Sequence, residues 1–284
     1  MCWKRGFAIF LISLFYGCNT AQTIPVQNLE ASPAGTAVQF FYKSQGGNAE
    51  GYLIRPKGNG PFPLVVLLHG HSWRREGAKR IIPVAEKFST NLCYASLAIS
   101  LPGYGMTKVA GDRNRDRDII ARVILDGISK VSGLPWVDGT HVMLYGFSRG
   151  ATFAATLAGK VQGLRSVVLH SGAYDIGRLY RDTSSAWVRR TLNPNGEVKP
   201  HLFSVLPEVS GWTAPTLILH GAKDQLVPTS QAFLLRDRLA TLGKPHRFVI
   251  FPHADHRLPP KGVREEVLSF LNQYIGSACL LNDP

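Results

Sequence analysis

The stretch HVMLYGFSRGATFAATLAG, residues 141–159, predicts a buried strand, a tight turn and a helix in immediate succession. The strand is an apolar run at residues 142–145, the turn is a G-x-S-x-G pattern at residues 146–150, and the helix is rich in alanine. Such a turn projects its central residue, here Ser148, at the carboxyl end of a strand and the N-terminus of a helix. Ser148 is therefore a candidate nucleophile. The alternative is an ordinary serine in a glycine-rich turn.

The same alternation of apolar strands and helices extends in both directions along the chain. Strands are predicted at residues 64–68, 93–100, 142–145, 167–170, 216–220 and 247–251, and helices at residues 78–90, 115–131, 149–160, 230–242 and 262–275. Pro83 favours a later start for the first helix. Two short runs around Gly46-Gly47-Asn48 predict an antiparallel hairpin. The pattern predicts one α/β domain over residues 22–284, with a mainly parallel sheet covered on both faces.

One long segment, residues 173–212, interrupts the alternation. It contains no strong strand, and it carries Tyr174, Trp187, Trp212 and several arginines. A connection of this length inside a compact domain is typical of a functional lid or a disordered insert. We expect a lid, and an ordinary solvated insert is the alternative.

The N-terminus has the layout of a secretory signal peptide over residues 1–21: two basic residues, an apolar run at residues 7–16, then small polar residues. A buried N-terminal helix is the alternative. The sequence LFYGC, ending at Cys18, also resembles a bacterial lipoprotein box, so lipidation at Cys18 stays open. Export would allow Cys93 and Cys279 to form a disulfide, although the sequence does not show whether they meet.

Composition narrows the class of function. The chain has 284 residues, 45% of them hydrophobic, and a net charge of +13, a globular composition that is compatible with an anionic ligand. The basic residues are spread out and match no nucleic-acid-binding module. There is no CxxC pair or His/Cys cluster, so no metal or other cofactor is expected. A metal site with His69 and His71 as ligands is the alternative interpretation of these two histidines. The sequence leaves the oligomeric state open.

Two later strand ends supply partners for Ser148. A serine hydroxyl needs a base, and the base needs an acid that fixes its tautomer. In this architecture the chain order is serine, acid, histidine. Asp224 and His256 follow the strands at residues 216–220 and 247–251, and they complete the order. Asp175 is the alternative acid and His253 the alternative base.

The loop after the first central strand is predicted to complete the site. An oxyanion hole needs two N–H donors, and the residue after the nucleophile, Arg149, supplies one. We expect the other from His71, with Ser72 next. Tyr104, Tyr174 and Trp187 are predicted to border the substrate.

The segments PLVVLLHG, LPGYG, GFSRG, LILHGAKDQLVP and FPHADH occur in the order found in the α/β-hydrolases. The chain resembles the dienelactone hydrolases and the catalytic domains of prolyl oligopeptidases, from about residue 64 to residue 275. The resemblance implies a Ser148–Asp224–His256 triad and an oxyanion hole near His71 and Arg149. Dienelactone hydrolases proper use a cysteine nucleophile. Prolyl oligopeptidases carry a propeller domain and usually two glycines after the nucleophile motif, whereas Ala151 follows Gly150 here.

The sequence therefore predicts an exported serine hydrolase that cleaves carboxylic esters through an acyl-enzyme. Two other functions stay open: a serine peptidase or amidase with the same triad, and a non-catalytic binding protein on a hydrolase fold. The expected partner is a small-molecule ester, including an anionic one, or a short peptide. Contact with a membrane is expected only if Cys18 is lipidated.

Overall fold

A computed structural model describes residues 22–110, 116–197 and 202–275 of the chain. The predicted signal peptide, Cys18 and Cys279 lie outside these ranges. Cys93 is disulfide-bonded.

One nine-stranded sheet organises the described chain, in the order β1-β2-β3-β5-β4-β6-β7-β8-β9. Its strands are β1 Gln22–Thr23, β2 Ala37–Ser44, β3 Gly47–Ile54, β4 Phe62–Leu68, β5 Ala95–Ile99, β6 Val137–Phe147, β7 Leu164–His170, β8 Thr216–Gly221 and β9 His246–Phe251. The six strands from β5 to β9 in this order are parallel, and β3 joins them antiparallel. β4 and β6 are neighbours in the sheet. After β4 the chain continues into β5, towards one edge of the sheet, and after β6 it continues into β7, towards the other edge. The loops after β4 and β6 therefore flank the switch point, where open α/β sheets bind ligands.

Helices cover both faces of the sheet. They are α1 Ile82–Leu92, α2 Arg117–Ser132, α3 Arg149–Leu157, α4 Ile176–Asp182, α5 Ala186–Leu192, α6 Ser230–Thr241 and α7 Pro260–Tyr274, with 3-10 turns at Val26–Ala31, Gly77–Ile81 and Leu206–Gly211. The apolar faces of α2, α3 and α6 form one core layer, and those of α1 and α7 form the other. The predicted fold class, an α/β-hydrolase fold with a mainly parallel sheet, is confirmed. In the described ranges no helix is long and apolar enough to cross a membrane.

Local chemistry explains where several elements begin and turn. The side chain of Asp116 accepts hydrogen bonds from the N–H groups of Asp118 and Ile119 at 3.0 and 3.1 Å, which caps α2. The β2–β3 turn consists of Gln45 and Gly46, with φ of 44° and 68°. The turn begins one residue earlier than predicted. Two-residue turns with positive φ are favoured in hairpins because they match the twist of the paired strands.

The insert folds back over the sheet as two short helices and a 3-10 turn. Helices α4 and α5 share a small apolar cluster with Val227 and the loop after β8. An ion-pair cluster holds the end of the insert, because Glu208 binds Arg117 and also lies 3.3 Å from Lys160. Apolar side chains of α4 and α5 face the same cavity as Ser148 and His256, which follow the carboxyl ends of β6 and β9.

Candidate active site

Ser148 stands between β6 and α3 with a φ of 53°, a strained value for a residue other than glycine. A Cβ at Gly146 would lie 2.4 Å from the Gly150 carbonyl oxygen, and a Cβ at Gly150 would lie 2.0 Å from the Leu68 carbonyl oxygen. Only glycine allows the backbone to pass this closely, as the motif predicted. The Ser148 N–H donates to the carbonyl of His170 at 2.8 Å, which ties the turn to β7.

The structure brings Ser148, His256 and Asp224 together. The Ser148 Oγ lies 2.9 Å from His256 Nε2, and His256 Nδ1 lies 2.7 Å from Asp224 Oδ2. The three residues are separated by up to 108 positions in sequence, and they meet because each follows the carboxyl end of a parallel strand. Such a chain orients the imidazole so that Nε2 can accept the hydroxyl proton.

Asp224 is buried and receives hydrogen bonds on both carboxylate oxygens. Its Oδ1 accepts from the N–H groups of Leu226 and Val227, each at 2.9 Å. Its Oδ2 accepts from His256, and His220 Nε2 lies 3.3 Å away. Burial raises the pKa of Asp224, but the hydrogen bonds from His220 and His256 outweigh burial and hold that pKa well below its usual range. Asp224 is therefore an anion that can stabilise an imidazolium.

The two alternative residues lie in different environments. Asp175 caps α4, where its Oδ1 accepts from the N–H of Arg178 at 2.7 Å. His253 is exposed at the end of β9. Neither residue replaces a member of the hydrogen-bonded chain at Ser148.

Sequence reasoning missed two buried histidines behind the triad. His220 Nε2 donates to the Val227 carbonyl at 2.9 Å and so braces the loop that carries Asp224. His170 packs edge-on against Phe147 at 4.8 Å. Burial, followed by the nearby His256 and His220, lowers the pKa of His170 to about 3. The only sequence signal was a histidine at the end of each of two apolar strands, and such histidines are also common as core residues.

The loop after β4 lies directly against the nucleophile. A Cβ at Gly70 would lie 3.1 Å from Ser148 Cβ, so the backbone leading to His71 passes beside the serine. Arg149 is the first residue of α3, where backbone N–H groups point out of the helix end. The loop and the helix end thus converge on the Ser148 side chain, where the oxyanion hole was predicted.

His69 and His71 of this loop are neutral and form hydrogen bonds with other groups of the protein. His69 Nδ1 donates to the Gly70 carbonyl at 2.8 Å, and His69 Nε2 accepts from the Leu101 N–H at 3.0 Å. Burial lowers the pKa of His69 to about 4, and also that of His71. His71 Nδ1 is hydrogen-bonded to the Tyr104 hydroxyl. Among the described residues, no three His, Cys, Asp or Glu side chains are grouped so that they could hold a metal ion.

A cavity of about 700 Å³ opens beside Ser148 and His256. Its apolar walls come from α3, α4, α5 and the segment before the 3-10 turn of the insert. Phe153, Ile176, Leu179 and Val188 are buried, and Leu192, Leu202 and Phe203 are partly buried. Trp187, which the sequence predicted to border the substrate, lines the cavity. Tyr104 is buried and contacts His71 behind the wall. Tyr174 and Trp212 are 0% and 1% exposed, because their rings pack in the core layer of α3 and α6 instead.

The cationic side chains at the cavity come from outside the insert. Arg80, Arg149 and Arg257 line it, and none of these residues belongs to the insert. Within the insert, Arg178 pairs with Asp182 at 3.1 Å, and the other insert arginines are exposed. Asp255 is the only carboxylate among the described residues that line the cavity.

Two family models match the chain. The model of the prolyl oligopeptidase family matches residues 119–278, and the Esterase FrsA-like model matches residues 30–174. Each match covers more than half of the chain. The chain belongs to the α/β-hydrolases of these two families.

Individual relatives are distant and often longer. Dipeptidyl-peptidase 5 of Porphyromonas gingivalis is 22% identical over 264 residues, which cover 83% of this chain and 37% of that protein. The chain spans about a third of the length of the curated relatives it matches.

Solved structures share the fold. The acylaminoacyl peptidase of Pyrococcus horikoshii superposes with a TM-score of 0.69 at 18% identity, over 85% of this chain and 42% of that one. A putative dienelactone hydrolase from Klebsiella pneumoniae gives a TM-score of 0.59 at 19% identity, over 84% of this chain and 97% of that one.

Proposed function

We propose that this protein is a hydrolase, a serine esterase that cleaves carboxylic esters through an acyl-enzyme intermediate. The observation that carries the proposal is the continuous hydrogen-bonded chain from Ser148 Oγ through His256 to Asp224, at the edge of an apolar cavity. The nucleophile, its base and the orienting acid have the roles that acyl transfer requires.

In the first half of the reaction, Ser148 Oγ attacks the ester carbonyl carbon while its proton moves to His256 Nε2. The imidazolium forms beside the anionic Asp224, which stabilises the new charge. His256 then gives the proton to the departing alkoxide, which leaves as the alcohol. The acyl group remains on Ser148.

In the second half, water takes the place of the alcohol. His256 removes a proton from the water as it attacks the acyl carbon, then returns that proton to Ser148 Oγ as the acid departs. In both halves the carbonyl oxygen becomes an oxyanion. The backbone N–H groups of Arg149 and His71 are our proposed donors to it, and loss of one such donor typically costs about 3 kcal/mol of transition-state stabilisation.

The lining of the cavity favours an ester over a peptide that carries a free amine. Recognition of an α-ammonium group needs carboxylates, and Asp255 is exposed and is the only carboxylate among the described lining residues. Three arginines at the same cavity favour a neutral or anionic substrate. A peptidase remains the second candidate, because the prolyl oligopeptidase model matches the half of the chain that carries the triad.

We also propose that the protein is exported. The layout of residues 1–21 supports this, and so does the disulfide at Cys93, since disulfides persist mainly outside the cytoplasm. Fractionation of bacterial cells that express the full chain would test the proposal. A cytoplasmic product that keeps residues 1–21 would contradict it, and a membrane-bound product released by Cys18→Ala would indicate lipidation.

Labelling with a fluorophosphonate probe tests the serine mechanism. We expect labelling of the native enzyme and none of Ser148→Ala. Ser185→Ala is a matched control, since Ser185 lines the same cavity but its hydroxyl caps α5. Equal labelling of native enzyme and Ser148→Ala would refute the proposal. Rates on p-nitrophenyl butyrate and on alanine p-nitroanilide would then separate esterase from peptidase.

A further inference from the structure

Aromatic rings from two distant segments meet at one end of the cavity. Trp73 comes from the loop after β4, two residues beyond His71, and Trp187 comes from α5 of the insert. Their ring centroids are 5.4 Å apart, and the Trp187 ring lies 4.9 Å from that of His71. All three side chains line the cavity that contains Ser148.

This aromatic end is open to solvent. Trp73 is 77% exposed, the highest value among the large hydrophobic side chains described. By contrast Phe153, Leu179 and Val188, which line the same cavity, are less than 10% exposed. The cavity therefore runs from an exposed aromatic mouth to a buried apolar interior.

The order of events in the proposed reaction assigns one part of the substrate to each end. The acyl group stays on Ser148 while the alcohol leaves and water enters. The alcohol therefore needs the route to solvent, which is the aromatic mouth, and the acyl chain is left with the buried interior.

We propose that the alcohol part of the substrate carries a ring, either aromatic or a sugar, whose face stacks on Trp73 and Trp187. This inference rests on the proposed esterase function. Two adjacent indoles at the mouth of a cavity present apolar surface to water, and a ligand that covers this surface gains free energy. A flat ring face is the shape that two adjacent indoles cover best, through stacking and apolar contact.

Pairs of esters with alcohols of similar reactivity test the inference. Benzyl acetate and methyl 6-O-acetylglucoside each carry a ring, and n-butyl acetate does not. For the native enzyme we expect kcat/KM on at least one ring ester to exceed that on n-butyl acetate by about fivefold, mainly through KM, the size expected of one stacked ring pair. Trp73→Ala should remove that preference, and Trp73→Phe should retain most of it.

Phe233→Ala is the matched control, because Phe233 is an exposed aromatic residue on α6 that packs on Phe248, outside the cavity. It should keep the native ratio. A preference for the glucoside would identify a sugar ring, and a preference for the benzyl ester an aromatic one.

The failure of this inference differs from a failure of the proposed function. Ser148-dependent hydrolysis of all three esters with equal kcat/KM, unchanged in Trp73→Ala, would overturn the ring site and leave the esterase in place. Absence of Ser148-dependent hydrolysis of any ester would overturn both.

Discussion

Asp224→Asn should disable the proposed esterase while leaving the site almost unchanged in shape. The N–H groups of Leu226 and Val227 both donate to Asp224 Oδ1 at 2.9 Å. In the variant they hold the amide oxygen at that position, so the amide NH₂ group must face His256. His256 Nδ1 must then accept a hydrogen bond, which moves the imidazole proton to Nε2. A protonated Nε2 cannot take the proton of Ser148.

The expected loss follows from this change of tautomer. An equivalent substitution in a serine triad of another fold lowers kcat by about 10⁴-fold, which corresponds to about 5 kcal/mol. We expect a loss of this size in kcat on p-nitrophenyl butyrate, with KM little changed, and a parallel slowing of fluorophosphonate labelling. The measurement needs enzyme free of native contamination, since 0.01% of native protein would account for the whole signal.

Asp175→Asn is the control for this experiment. Asparagine caps helices as well as aspartate does, so α4 and the activity should both be retained. A kcat for Asp224→Asn within tenfold of the native value would refute the assignment of the acid. Loss of activity in Asp175→Asn alone would transfer the role to Asp175.

Three further changes have defined outcomes in urea unfolding. Gly150→Ala should lower the free energy of unfolding by about 3 kcal/mol or more, because the new Cβ would lie 2.0 Å from the Leu68 carbonyl oxygen. Gly211→Ala is the control and should be nearly neutral, because its Cβ would meet no atom within 4 Å. Equal effects of the two substitutions would contradict this expectation. Burial lowers the pKa of His69 to about 4 and that of His170 to about 3, against about 6.5 in the unfolded chain. The unfolded chain therefore binds more protons below pH 6.5, and the free energy of unfolding should fall by roughly 3 kcal/mol between pH 6.5 and pH 5. A urea midpoint that is the same at both pH values would contradict this expectation. Cys93→Ser should cost about 2 to 4 kcal/mol by removing a disulfide, and insensitivity of the native protein to a reductant would argue against that.

The predictions that held best depend on short-range rules. Gly146 is required by its close approach to Gly150, a near neighbour in the chain, and the strand that precedes Ser148 follows from apolar periodicity. Gly150 is required by the carbonyl of Leu68 at the end of the adjacent strand. The order of Ser148, Asp224 and His256 follows from one topological fact: parallel strands bring their carboxyl ends to the same edge of the sheet. Local patterns together with the topology of a parallel sheet were therefore enough to predict the fold and the candidate triad.

The substrate side of the cavity depends on contacts between distant segments. Tyr174 and Trp187 lie in the same insert and have similar chemistry, yet one ring packs in the core and the other faces the cavity. Burial of a side chain is decided by which surface its element packs against, and a single-sequence pattern does not contain that partner. The same dependence on distant contacts explains why the sequence did not predict the arginines that line the cavity. It also explains why the sequence did not predict the role of His220, which depends on its contacts with the loop that carries Asp224. The sequence thus determines how an ester would be attacked, while the packing of the insert against the sheet determines which ester fits.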